Sequence, residues 1–101
     1  MSWGLMEMNV IRWATARGII PNATPVSQLM KAFSEMGELA DAEGKQDMAA
    51  IEDAVGDVLV CLINYCALRQ INVVGCLSGA YDQIKDRKGQ LMPDGTFVKE
   101  E

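Results

Sequence analysis

The sequence predicts an all-α fold: a four-helix bundle followed by a short C-terminal turn or arm, with copies assembling through helix packing. Two observations carry this. Apolar residues recur at i, i+3 and i+4 through several segments of the chain, which is the spacing of one helix face. Between those segments stand residues that stop and start helices, namely Gly18, Thr24-Pro25, Gly44 and Asp47. A chain of 101 residues makes one domain, here 1–101. A domain of that size buries a modest share of its surface, which favours self-association.

The first helix is expected from Gly4 to Arg17, with Leu5, Met8, Ile11 and Trp13 near helical spacing and Gly18 as its stop. Pro21-Asn22-Ala23-Thr24-Pro25 reads as a loop. Thr24 as N-cap and Pro25 at the first helical position open the second helix, which runs to about Glu43 before Gly44 ends it. Asp47 caps the third, whose stripe Ile51, Val55, Val58, Leu62, Cys66 continues towards Gln70. A fourth helix spans Val73 to Arg87, weakened at Gly75 and Gly79. Beyond it, Pro93-Asp94-Gly95 is a turn signal between Leu91-Met92 and Phe97-Val98, suited to a short hairpin or an arm.

Composition narrows the chemistry. A net charge of −5 argues against coating nucleic acid, because phosphate backbones need surplus Lys and Arg. It leaves a nucleotide substrate open, since bound cations reverse the local sign. There is no apolar run of membrane-spanning length, and Met1 to Glu7 lack the basic start of a signal peptide. Three cysteines in apolar surroundings, Cys61, Cys66 and Cys76, suit reduced, buried thiols in a cytoplasmic compartment. The seven Met residues read as adaptable core filler. The absence of His removes histidine triads and histidine-ligated zinc, leaving carboxylates, Lys, Arg or a metal.

The acids are patterned. Glu35 and Glu38 lie three apart on the second helix, and Asp53 and Asp57 four apart on the third, so each pair shares a side. Antiparallel helices joined by a short loop bring such pairs face to face. Carboxylates gathered in this way repel one another, and their natural partner is a hard cation, Mg²⁺ or Mn²⁺. Glu52 points about 100° away from Asp53 and reads as solvated. Ala54, three before Asp57, cannot coordinate, which leaves Asp53 as Asp57's partner. Gly37 lies between the glutamates and Gly56 precedes Asp57. Each mid-helix Gly costs about 1 kcal/mol relative to Ala, so both suggest close helix approach or room for a ligand. The competing reading is a non-catalytic oligomeric helical module whose acids are solvated faces.

Other residues have two readings each. Lys31, four before Glu35, is a helix ion pair or a phosphate contact. Lys85, Arg87 and Lys88 complement the negative end of their helix or cradle phosphates. Trp13 and Trp3 could stack on a base, although Trp on an amphipathic helix more often belongs to the core. Asn64, seven beyond Asp57 and nearly in line with it, is a candidate for sugar or phosphate.

"KAFSEMGELADA" (Lys31–Ala42) followed by "IEDAVGDVLVCLINYC" (Ile51–Cys66) resembles the MazG family of all-α nucleoside triphosphate pyrophosphohydrolases. That family pairs Glu-x-x-Glu on one helix with a later Glu-x-x-Asp. Glu35, Glu38 and Asp57 fall on three of those positions, while the fourth falls on Ala54 and the acid is shifted to Asp53. The shifted form, and the ending "AYDQIKDRKGQLMPDGTFVKEE" (Ala80–Glu101), are similar to short phage-encoded MazG-like proteins. The resemblance implies hydrolysis of a (deoxy)nucleoside triphosphate to monophosphate and pyrophosphate with Mg²⁺ or Mn²⁺. It implies metal ligation by Glu35, Glu38, Asp53 and Asp57, with Glu38, ahead of Glu35, handling the attacking water. Lys31, Asn64, Lys85, Arg87, Lys88 and Trp13 would contact the nucleotide. It also implies a homo-oligomer, a tetramer ahead of a dimer, with a preference for guanine nucleotides in some phage relatives; the expected location is cytoplasmic, the host cytoplasm if the chain is phage-encoded.

Overall fold

A computed structural model describes residues 1–100. Helix α1 (Trp3–Ala16), a short α2 (Ile19–Asn22), α3 (Pro25–Gly44), α4 (Met48–Arg69) and α5 (Val73–Ile84) precede a hairpin of β1 (Gly89–Leu91) and β2 (Phe97–Lys99). The chain is mostly helical, as its periodicity predicts. A closed four-helix bundle is not what the helices form, however. α3 and α4 pack antiparallel along their lengths, α1 packs on α4, and α5 touches only α4 among the helices. α5 leaves α4 at 103°. Among the described residues, no single helix is long and apolar enough to cross a membrane.

Side-chain caps fix where the long helices start. Thr24 Oγ1 accepts from the Ser27 amide at 3.1 Å and Asp47 Oδ1 from the Ala50 amide at 3.2 Å, each satisfying a donor the helix leaves free. Ser2 and Asn72 cap α1 and α5 in the same manner. Gly18 ends α1 with φ of 78°, a left-handed conformation that costs glycine little. Of the segment expected to be loop, Pro21 and Asn22 fall in the short α2, which is non-helical in φ/ψ at Ile20 and Pro21, while Ala23 and Thr24 are extended as expected. Gly44 is not the left-handed residue after α3. Gln46 takes that conformation, with φ of 53°, so Gly44 is the last residue of α3 and the left-handed position falls two residues after it. At the C-terminus Gln90 pairs with Val98 in an antiparallel register. Asp94 Oδ1 accepts from the Thr96 amide and hydroxyl at 2.9 and 2.6 Å, bonds that hold its carboxyl below the usual range.

The core is built from small side chains. Ala14, Ala32, Ala42, Ala54, Cys61, Ile63 and Cys66 are its buried apolar residues, so α3 and α4 approach closely over Ala32, Ala42, Ala54 and Cys61. This corrects two expectations. All seven Met residues are exposed in the single chain and fill no core. Of the stripe expected to face inward on α4, Val55 and Leu62 are exposed, because α4 turns its Ala54–Cys61 side to α3. Cys61 and Cys66 are buried free thiols, as expected, whereas Cys76 is exposed.

Candidate metal centre

α3 and α4 are antiparallel, so residues near the middle of one face residues in the first half of the other. Glu35 and Glu38 thereby meet Asp57. One carboxylate oxygen from each of the three lies within 4.8 Å of the other two. Glu35 and Asp57 are half-buried and Glu38 is exposed, so the group forms an acidic rim open on one side. Asp53 is not among them; it is exposed, about one turn before Asp57 on α4. The reason is the facing direction of α4. Ala54, only 4% exposed, is the residue turned into α3, and Asp53 lies about 100° round the helix from it.

The three acids act on one another. Glu35's carboxyl is pushed above its ordinary value, first by Glu38 within hydrogen-bonding reach, then by desolvation, then by the charges of Glu38 and Asp57, with Lys31 opposing. A hydrogen bond between two carboxyl groups requires a proton on one of them. When both are ionised, Glu35 Oε2 is covered and has no hydrogen-bond partner. A buried oxygen in that state calls for a cation or a proton. These all-oxygen donors fit a hard divalent ion such as Mg²⁺ or Mn²⁺. Lys31 forms no ion pair with Glu35 among the described residues; the one salt bridge there joins Lys85 Nζ to Asp82 at 3.5 Å.

Beside the acids, α1 and α4 leave a cleft of about 370 Å³ lined by Asn9, Val10, Trp13, Asp57 and Val60. Trp13 is half exposed and carries the Arg17 guanidinium 5.1 Å from its ring centroid, a cation–π contact. Asp57 belongs to both cleft and carboxylate group, so an aromatic wall and the acids share one opening. Asn9, Val10, Val60 and Arg17 were not legible as site residues. Asn9 and Arg17 do stand four before and four after Trp13, on the same side of α1. Trp3 is elsewhere, its indole N–H donating to Glu7 at 3.0 Å.

The remaining candidates are placed apart from the acids. Asn64 is 2% exposed, with Oδ1 unpartnered, and presents no open surface to a sugar or phosphate. Cys61, in the core beneath, has its thiol pushed up by burial, with Lys31 opposing. Lys85, Arg87 and Lys88 follow or end α5. Arg87 and Lys88 line a separate groove with Gln83, Asp86, Lys99 and Glu100. The single chain does not bring them to the carboxylates.

No family model matches the chain, and no solved structure matches it. Over 55 residues, 54% of its length, it is 33% identical to a protein of Haemophilus phage HP1 described as an uncharacterized 18.2 kDa protein in the rep–hol intergenic region. The match covers 34% of that relative, so the chain spans about a third of the phage protein's length.

Proposed function

We propose that the protein hydrolyses a nucleoside triphosphate, ribo- or deoxyribo-, to the monophosphate and pyrophosphate with Mg²⁺ or Mn²⁺. The observation that carries this reading is the meeting of Glu35, Glu38 and Asp57 at the mouth of a cleft walled by Trp13. The resemblance of the α3–α4 acids to the MazG pattern supports it, with Asp53 left outside the converging group.

Glu35, Glu38 and Asp57 would hold the cation, which supplies charge neutralisation for the phosphates and makes a bound water more acidic. Trp13 offers its ring to a base, and Val10 and Val60 exclude water around it. Glu38, the most open of the three acids, accepts the proton of the attacking water. The water oxygen bonds to the α-phosphorus as the bond from that phosphorus to the α–β bridging oxygen breaks, and pyrophosphate departs with the bridging oxygen. Lys31, whose charge already acts on Glu35, would contact phosphate oxygens beside the acids.

The test is incubation with each of the eight common nucleoside triphosphates and Mg²⁺ or Mn²⁺, assaying monophosphate and pyrophosphate. Formation of both in equal amounts is expected, and the same panel reads out any guanine preference. No product with any nucleotide, together with no metal-dependent change in melting, would favour a non-catalytic helical module.

A further inference from the structure

α5 is the least anchored of the long helices. None of its residues is buried, and among the helices it touches only α4, which it leaves at 103°. Its position rests on the corner between the two. Gln70 ends α4 in the left-handed conformation, with φ of 60°, and the Ile71 amide donates back to the Cys66 carbonyl at 3.0 Å. Asn72 then starts α5. Its Oδ1 accepts from the Gly75 amide at 2.8 Å and its carbonyl from the Cys76 amide at 3.0 Å.

This corner puts two thiols together. Cys66 stands about one turn before the end of α4 and Cys76 in the first turn of α5. Their side chains are within hydrogen-bonding reach of each other. They differ in access, for Cys66 is 9% exposed and Cys76 is open to solvent. A disulfide needs its sulfur atoms about 2.05 Å apart, so thiols already in such reach have only a short movement to make. α5 has no buried side to resist that movement. Cys61, the third cysteine, lies about 140° round α4 from Cys66, in the contact with α3, and is 1% exposed.

We propose that Cys66 and Cys76 are a redox pair, oxidised by a low-molecular-weight disulfide to an internal disulfide that fastens α5 to α4. Access sets the order of events. The Cys76 thiolate attacks the small disulfide, and one small thiolate leaves. The Cys66 sulfur, giving up its proton, then attacks Cys76 Sγ and displaces the second small thiolate. Two protein thiols are oxidised, one small disulfide is reduced to two thiols, and these take up the two protons the protein releases. Burial, then the charges of Cys76 and Glu7, pushes the Cys66 thiol up, which keeps it protonated and slow against an outside disulfide. Arg87, Lys88 and the hairpin follow α5 in the chain, so the bond also sets where they stand relative to α4. This inference does not depend on the hydrolytic reading.

The test is incubation of the full chain with oxidised glutathione, then alkylation, tryptic digestion and tandem mass spectrometry. Cleavage after Arg69 separates the two cysteines. A bond between them therefore joins the peptide ending at Arg69 to the one ending at Lys85, and fragment ions should place it at Cys66. Two of the three thiols should be lost. The melting temperature should rise by about 10 °C, as expected for a closed loop of about 11 residues in a domain of this size. Cys76→Ser, at an exposed position, should fold as the wild type does and lose both effects. Three thiols left free, Cys76 retained as a mixed disulfide with glutathione, a bond from Cys76 to Cys61, or a bond between two copies would each overturn the proposal. So would a bridged chain that melts no higher than the reduced one.

Discussion

Replacing Asp57 by Asn keeps the side chain's size while removing one of three charges that converge within 4.8 Å. If the group binds Mn²⁺, the ion stabilises the folded chain by RT ln(1 + [M]/Kd), about 2.7 kcal/mol at a hundredfold excess over Kd. For a domain of about 100 residues, 1 kcal/mol moves the melting temperature by about 4–8 °C, so the wild type should rise by at least about 10 °C. Losing a charged ligand that cannot be replaced should weaken binding by about a hundredfold or more. At the same Mn²⁺ concentration the residual stabilisation is then about 0.4 kcal/mol, a rise of only a few degrees. Without metal the order reverses: Asp57→Asn should melt above the wild type, because one repelling charge is gone. Differential scanning fluorimetry with and without Mn²⁺ reads both effects. Asp53→Ala is the control, and the geometry predicts that it keeps the full metal-dependent rise. A full rise in Asp57→Asn, or its loss in Asp53→Ala, would refute the assignment of ligands.

Three other outcomes follow from the same structure. Because Glu35's carboxyl is raised above 4.5, the folded chain holds its proton more tightly than the unfolded one. Its contribution to metal-free stability is present below pH 4.5 and is lost as pH climbs through the raised value. The Mn²⁺-dependent rise should grow over the same window, since metal and proton compete, and Glu35→Gln should flatten both trends in a melting series against pH. Trp13→Ala should raise KM for the nucleotide severalfold with a smaller change in kcat, as steady-state kinetics would show, because the ring lines the cleft and not the acids. Thr24→Ala removes the hydroxyl that accepts from Ser27 at 3.1 Å. It should cost about 1 kcal/mol, read as a lower midpoint in urea unfolding with an unchanged slope.

Much of the helical architecture was legible because local chemistry determines it. Thr24-Pro25 and Asp47 are caps in the structure as in the sequence, and i, i+3 spacing places Glu35 and Glu38 together on any helix. Which side of α4 meets α3 was not legible. Ile51, Val55, Val58 and Leu62 are the larger apolar residues, yet the contact runs through Ala54 and Cys61, since small residues let two helices approach closely. With that face inward, Asp57 reaches the α3 glutamates while Asp53, a turn earlier, stays outside the group and exposed. The Met residues misled for a related reason: periodicity identifies an apolar face without saying whether the same chain covers it. The cleft could not be read either, because Asn9 and Trp13 meet Asp57 and Val60 only through the packing of α1 on α4. Asn64 shares its angular position with Asp57, but two turns further on it is enclosed by the core.

The most direct test of the hydrolytic reading is turnover in ¹⁸O-labelled water with Mn²⁺, followed by mass spectrometry of both products. Attack at the α-phosphorus predicts one labelled oxygen in the nucleoside monophosphate and none in the pyrophosphate. Label in the pyrophosphate, release of orthophosphate with a nucleoside diphosphate, or no turnover of any triphosphate would contradict it.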